Sequence, residues 1–372
     1  MFPESDSSFA VRGLAVLVIH IGTPKSGTKA LQEYLRVNND ALLEQGVRYL
    51  KAGREKGRGT SHNELSKAIR GKADDAVWDR LRDELASSDS RINVISAEGL
   101  WLREPAEMRQ QLPDVKDVQI VVYLRRQDRY LQSLYMQAVS SGRKHSFTAW
   151  RESVPDRGRY LDSIDDWAAA FGDDSIVVRP YERAGIVDTV ADFSRLIGAE
   201  NLAREHQRNP SPRWELLHFI RALNNLKIKV DEHVLFKALI GKDPAYARSC
   251  DLLTYEESAA LLRAYEEENR ILSESYYFDD SVPLFPELIP YEGPERWSME
   301  SEEYHKLTVD VLDVLLDFVA DGLITRKGAK GRRHEKAAVE DGDSAGKGAE
   351  RRQRRTERQK QKPRNNRPKS RK

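Results

Sequence analysis

Residues 19–32 read IHIGTPKSGTKALQ, and the fold turns on this stretch. An apolar run over residues 15–21 stops at Gly22. A short loop follows, Thr23-Pro24-Lys25-Ser26-Gly27-Thr28, and a helical pattern then runs through Ala30, Leu31, Tyr34 and Leu35. Strand, glycine loop and helix in that order wrap an anionic phosphate group, because loop amides and the positive helix end face one point. The expectation is a nucleotide-type ligand. Gly22, Gly27 and the backbone between them, Pro24 included, form the cradle. The amides of Ser26 through Lys29 point at the anion, Lys25 adds a charge, and Ser26 and Thr28 add hydroxyls.

The stretch resembles no ordinary nucleotide loop. A Walker A loop is G-x-x-x-x-G-K-[ST]. Here the spacing Gly22 to Gly27 fits, but Thr28 stands where that lysine belongs, and the lysine sits at Lys25. The departure argues against an ordinary ATPase or GTPase. A Rossmann G-x-G-x-x-G is absent here.

Outward from this loop, short apolar runs alternate with helical patterns. Strands are expected at 15–21, 91–96, 118–124 and 175–178. Helices are expected at 27–37, 41–45, 64–69, 75–85, 128–139, 162–171 and 187–197, with Gly172 as a stop. Residues 51–62, KAGREKGRGTSH, form a polar loop. This alternation predicts an α/β fold of the P-loop type. It has three layers, α/β/α, around a mostly parallel sheet. After residue 212 the patterns at 214–226, 255–275 and 304–320 are helical and no convincing strand is read. The expected organisation is an α/β nucleotide-binding core over 1–210, a helical extension packed on it over 211–325, and a basic tail over 326–372.

Composition bounds the rest. The 372 residues are 39% hydrophobic and 33% charged, with a net charge of +1. That near-neutrality hides an asymmetry: residues 351–372 sum to +11 and the other 350 to −10. The tail has almost no apolar content and is expected to be disordered. It suits an anionic polymer, nucleic acid or an anionic membrane surface, or it lies against its own acidic body. The lone Cys250 excludes an internal disulfide and a thiolate cluster, and fits a reducing, cytoplasmic location. No stretch reaches the roughly 18–20 apolar residues of a membrane span. The acidic start, MFPESDSSFAVRG, does not read as a signal peptide.

A second motif follows the 118–124 strand, where the chain reads YLRRQDRYLQSLY. Together, PKSGTKAL and this stretch resemble the sulfotransferase family that uses 3′-phosphoadenosine 5′-phosphosulfate (PAPS), in its bacterial branch. The resemblance covers about residues 15–200. It implies that the first loop holds the 5′-phosphosulfate, and that Arg125 and Ser133, eight residues apart, bind the 3′-phosphate. The chemistry agrees: Arg125 leaves a strand at its carboxyl end, where open sheets bind ligands, and a guanidinium fork suits a terminal phosphate. Lys29 stands where the family often has Ser or Thr, and Gln127 where many members have proline. Arg126 and Arg129 read either as ligand contacts or as solvated helix-start charges. Trp167 and Phe171 share a helix face and read as core. Arg179 and Tyr181 line the cleft or serve as salt-bridge and edge residues. RKGAKGRRH at 326–334 is superficially similar to a glycine-basic nucleotide loop of some sulfotransferases, but it merges into the tail.

The resemblance implies transfer of a sulfuryl group from PAPS to an acceptor hydroxyl, with 3′,5′-ADP as product. By analogy the acceptor is a small molecule or glycan. Lys25 is then the main catalytic candidate, neutralising charge on the leaving oxygen. Two residues are candidates for the base that takes the acceptor's proton: Glu98, after the 91–96 strand, and His62, an imidazole in GTSHNEL. His20, inside the first strand, reads as buried and hydrogen-bonded. No metal is required and no carboxylate–metal signature accompanies the loop. Two competing readings differ in what they need. A nucleotide-dependent kinase with an unusual loop needs Mg²⁺ and ATP. A nucleic-acid-binding protein working through the tail loses binding steeply with salt.

Overall fold

The computed structural model describes residues 16–57, 59–101, 104–112, 115–181, 188–199, 202, 213–247, 252–277, 283–290 and 297–326. Five strands form one sheet: β1 (Val16–Ile21), β2 (Val47–Tyr49), β3 (Ile92–Ala97), β4 (Val118–Leu124) and β5 (Ile176–Pro180). Their order is β2-β3-β1-β4-β5, and every neighbouring pair is parallel. The architecture is therefore mostly helical α/β with a parallel sheet. β2 escapes a periodicity reading because three residues carry no pattern.

β1 shows why the sheet needs cover on both sides, since all six of its residues are buried. Leu17, Ile19 and Ile21 pack on one face with Trp78, Tyr130, Leu131 and Ile164. These come from α4 (Ala76–Ala86), α6 (Gln127–Ser140) and α8 (Leu161–Phe171). Val16 and Val18 pack on the other face with Leu31, Leu35 and Phe193, from α1 (Thr28–Val37) and α9 (Thr189–Leu196). Period-two alternation thus sorts one strand's side chains into two helical layers.

Trp167 on α8 is 1% exposed and stacks on Phe171 with ring centroids 5.6 Å apart. Trp167→Ala is expected to destabilise the fold by about 3–5 kcal/mol. A lowered denaturant midpoint at constant m-value is the readout. An unchanged midpoint would mean that the indole is not a core group.

Beyond 212, helices dominate: α10 (Leu216–Asn225), α11 (Glu232–Lys242), α12 (Tyr255–Arg263), α13 (Glu266–Tyr276) and α14 (Glu302–Ala320). The single helix expected over 255–275 is broken, because Tyr265 turns inward and its hydroxyl donates to the Arg157 carbonyl at 2.8 Å. Two-residue strands, β6 (Ile228–Lys229) and β7 (Thr325–Arg326), correct the expectation of no strand here. Leu217 and Ile220 of α10 join the α/β core, while its Leu216 and Leu223 join a second cluster with Leu235, Leu239, Val311 and Val314. The chain divides after Thr325, and the described residues up to that point form one compact unit. The expected 210/211 boundary, the basic loop from 327 onward and the tail lie outside the described residues. Among the described residues, no helix is long and apolar enough to cross a membrane.

Candidate active site at the carboxyl edge of the sheet

Because the strands are parallel, their carboxyl ends share one edge. Gly22 follows β1, Glu98 follows β3, Arg125 follows β4 and Tyr181 follows β5. The chain leaves β1 into α1 on one face and leaves β4 into α6 on the opposite face. β1 and β4 are neighbours, so the crevice between them is the switch point where open α/β sheets bind ligands.

The loop between Gly22 and Thr28 is stitched from inside. Thr23 Oγ1 donates to the Tyr123 carbonyl on β4 at 2.7 Å. Ser26 Oγ donates to the Thr23 carbonyl at 2.7 Å, and Thr28 Oγ1 to the same carbonyl at 3.3 Å. Both hydroxyls expected to contact the ligand are therefore buried within the loop. Gly22 is required by close approach, since a Cβ there would sit 2.6 Å from the Thr28 side chain. Gly27 is required by its left-handed backbone, φ +76, and lies against Thr189 and Tyr181. Lys25 also has a positive φ, 66°, a strain non-glycine residues accept mainly at functional turns. The first α1 bond runs from the Leu31 amide to the Gly27 carbonyl at 3.1 Å. The amides of Thr28, Lys29 and Ala30 thus have no intrahelical acceptor and make the positive end of α1.

Four charged groups act on one another here. Partial burial lowers the Lys25 ammonium pKa, Arg125 and Lys29 push the same way, and Glu98 opposes them. Burial raises the Glu98 carboxyl pKa, and Lys29 and Lys25 pull it back. Lys25, Lys29, Glu98 and Arg125 are thus neighbours, although 100 residues separate the ends of the set. The Arg125 guanidinium stands 5.3 Å from the Tyr181 ring centroid, and Tyr181 flanks Gly27. Pro24 is half-buried beside Lys25, and Ser133 is half-buried on α6.

The structure separates the two candidate bases. Glu98 is half-buried at the crevice. His62 is fully buried: its Nε2 lies 2.8 Å from the Leu50 carbonyl, and its Nδ1 accepts from the Ser96 amide at 3.1 Å. Burial depresses its pKa to about 4. His62 therefore fastens the start of α3 (Asn63–Ala68) to β3, and its ring presents no nitrogen to an acceptor. His20 is buried as expected, with Nδ1 2.8 Å from Ser96 Oγ, its register partner on β3.

Other expectations resolve by packing. Arg126 is buried and is not a solvated charge. It forms a buried ion pair with Asp128 at 2.7 Å and donates to the Pro286 and Glu287 carbonyls. Arg179 pairs with Asp192, which also accepts from the Tyr123 hydroxyl. Thr189 was invisible to motif reading: it is buried at the first position of α9, and its Oγ1, which has no hydrogen-bond partner, faces Gly27. An open groove of about 870 Å³ lies beside Arg126, between α12, α13 and residues 283–288. Tyr277, Leu284 and Phe285 are among its walls. Among the described residues, no group of three or more His, Cys, Asp or Glu is placed to hold a metal ion.

No protein-family model matches the chain. An uncharacterized protein of Archaeoglobus fulgidus is 29% identical over 199 residues, which is 50% of this chain and 53% of that protein. The chain thus spans about half the length of that relative. A crystal structure of a sulfotransferase from Alicyclobacillus acidocaldarius is 19% identical, with a TM-score of 0.35, over 56% of this chain and 91% of the other. It is a distant, partial structural match to a sulfotransferase fold.

Proposed function

We propose that this chain is a PAPS-dependent sulfotransferase acting on an acceptor hydroxyl, with a carbohydrate as the acceptor class. One observation carries the reading: the Lys25 loop and Arg125, from two motifs 100 residues apart, meet at the β1/β4 crevice.

The residues present fit the donor's two charged ends. The cradle over Gly22–Gly27 admits no side chain at Gly22, and its first-turn amides lack intrahelical partners. Lys25 and Lys29 add positive charge beside it. The 5′-phosphosulfate belongs at this loop, and the 3′-phosphate at Arg125 with Ser133. PAPS, when bound, supplies the sulfuryl group. The Lys25 ammonium neutralises charge on the leaving oxygen. Glu98, and not His62, takes the acceptor proton, because a half-buried carboxylate among cations has access that a sealed imidazole lacks. The groove beside Arg126 is assigned to the acceptor. This chemistry calls for no metal.

Calorimetric titration with 3′,5′-ADP, with ATP and 5′-AMP as controls, tests the proposal. Binding without metal is expected, and Arg125→Ala should weaken it by about 10- to 150-fold, as loss of a charge-assisted contact does. Mg²⁺-dependent ATP binding with no affinity for 3′,5′-ADP would replace the proposal with a kinase.

A further inference from the structure

Arg54, in the polar loop over residues 51–62, is 5% exposed, and among the described residues its side chain has no ion-pair partner and no hydrogen-bond acceptor. Its Nε is sealed from solvent. Its two Nη groups keep contact with solvent and also lack an acceptor. Burial pushes the guanidinium pKa down, Tyr49 and Glu84 oppose that, and Arg36 of α1 adds to it. Glu84 of α4 does not pair with Arg54, because its carboxylate accepts from the Lys51 amide at 2.9 Å and the Ala52 amide at 2.7 Å. A guanidinium taken from water without a counter-charge is costly, and arginine is seldom buried unless paired.

The arginine is nevertheless held in place. Gly53 bends the chain with φ +87, and a Cβ there would sit 2.6 Å from Leu65 Cγ. The Arg54 amide donates to the Lys51 carbonyl at 3.1 Å, and the Glu64 amide donates to the Gly53 carbonyl at 3.1 Å. The guanidinium carbon stands 5.0 Å from the Tyr49 ring centroid. His62 meets the same ring edge-on with centroids 4.9 Å apart, and the Tyr49 hydroxyl donates to the Thr60 carbonyl. A guanidinium fixed on an aromatic ring with an open Nη edge is a planar fork for two oxygens of one anion.

We propose that Arg54 anchors an oxyanion site, and that the oxyanion is a carboxylate or sulfate carried by the acceptor. The proposal rests on reading the chain as a carbohydrate sulfotransferase, and it makes that carbohydrate an acidic one. Topology supplies the link. In the strand order β2-β3-β1-β4 the carboxyl ends lead in turn to Arg54, Glu98, Lys25 and Arg125. The donor's charged ends take the β1 and β4 positions, so an acceptor hydroxyl at Glu98 has Arg54 on its far side. An acceptor that also enters the groove beside Arg126 is an oligosaccharide laid along the edge.

The test is thermal melts of the full chain with sodium sulfate, methyl glucuronide or methyl glucoside. Each is added at about 1–50 mM, a range that brackets weak single-contact affinities, with ionic strength held by chloride. Sulfate and methyl glucuronide should raise the wild-type melt by more than they raise that of Arg54→Met, and methyl glucoside should not. The difference between the two proteins isolates this site, because the crevice is intact in both. Arg54→Met should raise the methyl glucuronide dissociation constant by about 10- to 150-fold, the scale of a charge-assisted contact. Arg54→Lys keeps the charge, loses the fork and should fall between. Without added oxyanion, Arg54→Met should melt no lower than wild type, because it removes an unpaired buried charge. Equal responses in wild type and Arg54→Met overturn the proposal, and so does a lower melt of Arg54→Met without oxyanion. A response to sulfate with none to methyl glucuronide leaves a free-ion site and overturns the acidic acceptor. Binding of 3′,5′-ADP should be the same in wild type and Arg54→Met, so failure of this site is read in the melts and failure of the sulfotransferase reading in the 3′,5′-ADP titration.

Discussion

Under the proposed function, Lys25→Met is expected to lower the rate of sulfuryl transfer by about 10²- to 10³-fold, the usual loss on removing one preorganised charge stabiliser. Binding of 3′,5′-ADP should change by much less than in Arg125→Ala. Methionine keeps the length of the lysine side chain and places the same Cβ on the left-handed backbone at φ 66, so the loop is held constant. What the variant loses is the ammonium. That ammonium stands close to Arg125 and Lys29, and partial burial together with those cations lowers its pKa. The charge is lost as pH rises, so the alkaline limb of the rate profile should fall at lower pH than an ordinary lysine would set, and should vanish in the variant. A variant with undiminished turnover would remove Lys25 from the chemistry.

Glu98→Gln carries the second large effect, and its sign on stability is the opposite of the usual one for a carboxylate. Loss of a general base lowers turnover by about 10²- to 10⁴-fold. Burial raises the Glu98 pKa in the folded chain, against the pull of Lys29 and Lys25. Folding therefore takes up a proton between the unfolded and folded pKa values, and stability falls as pH rises through that window. Below the ordinary glutamate value of about 4.3 the penalty is absent. Above the folded value it is complete. Glutamine carries no such penalty, so the variant should melt at or above the wild-type temperature at neutral pH, and the gap should close in acid. Paired melts across pH, run beside the activity assay, check both halves. A variant that melts lower at neutral pH would make Glu98 a structural partner of the lysines. In wild type, the acid limb of activity should lie above the usual carboxylate range.

Two kinds of signal were legible in the chain. Local signals placed β1, β3, β4 and β5 within a residue or two, because each is an apolar run bounded by a loop. They also placed Arg125 and Glu98, since a polar residue that directly ends a buried strand lies at the sheet edge by construction. Short or evenly apolar elements left no such signal. β2 has three residues, and α11 is apolar around much of its circumference through Val234, Leu235, Phe236 and Leu239. The three-residue reach of a motif also could not say where the Ser26 and Thr28 hydroxyls point. Both turn inward to the Thr23 carbonyl.

His62 and Arg126 show where residue type misleads. A histidine beside a polar loop and an arginine beside the arginine proposed to hold the 3′-phosphate carry the chemistry of a site. Whether they act depends on partners distant in sequence: the Leu50 carbonyl and Ser96 amide for His62, and the Pro286 and Glu287 carbonyls for Arg126. Buried polar groups must be paired, and the pairing consumes the donor or acceptor that a ligand would need. The sequence by itself determined the alternation of strand and helix, the glycine cradle and the residues that end each strand, because these follow from periodicity and backbone sterics over a few residues. Only the tertiary structure decided that the strands run β2-β3-β1-β4-β5, that Lys25, Glu98 and Arg125 share one crevice, and that His62 is sealed away from it. Those outcomes depend on which buried face finds which partner, and that is a property of the whole packed chain.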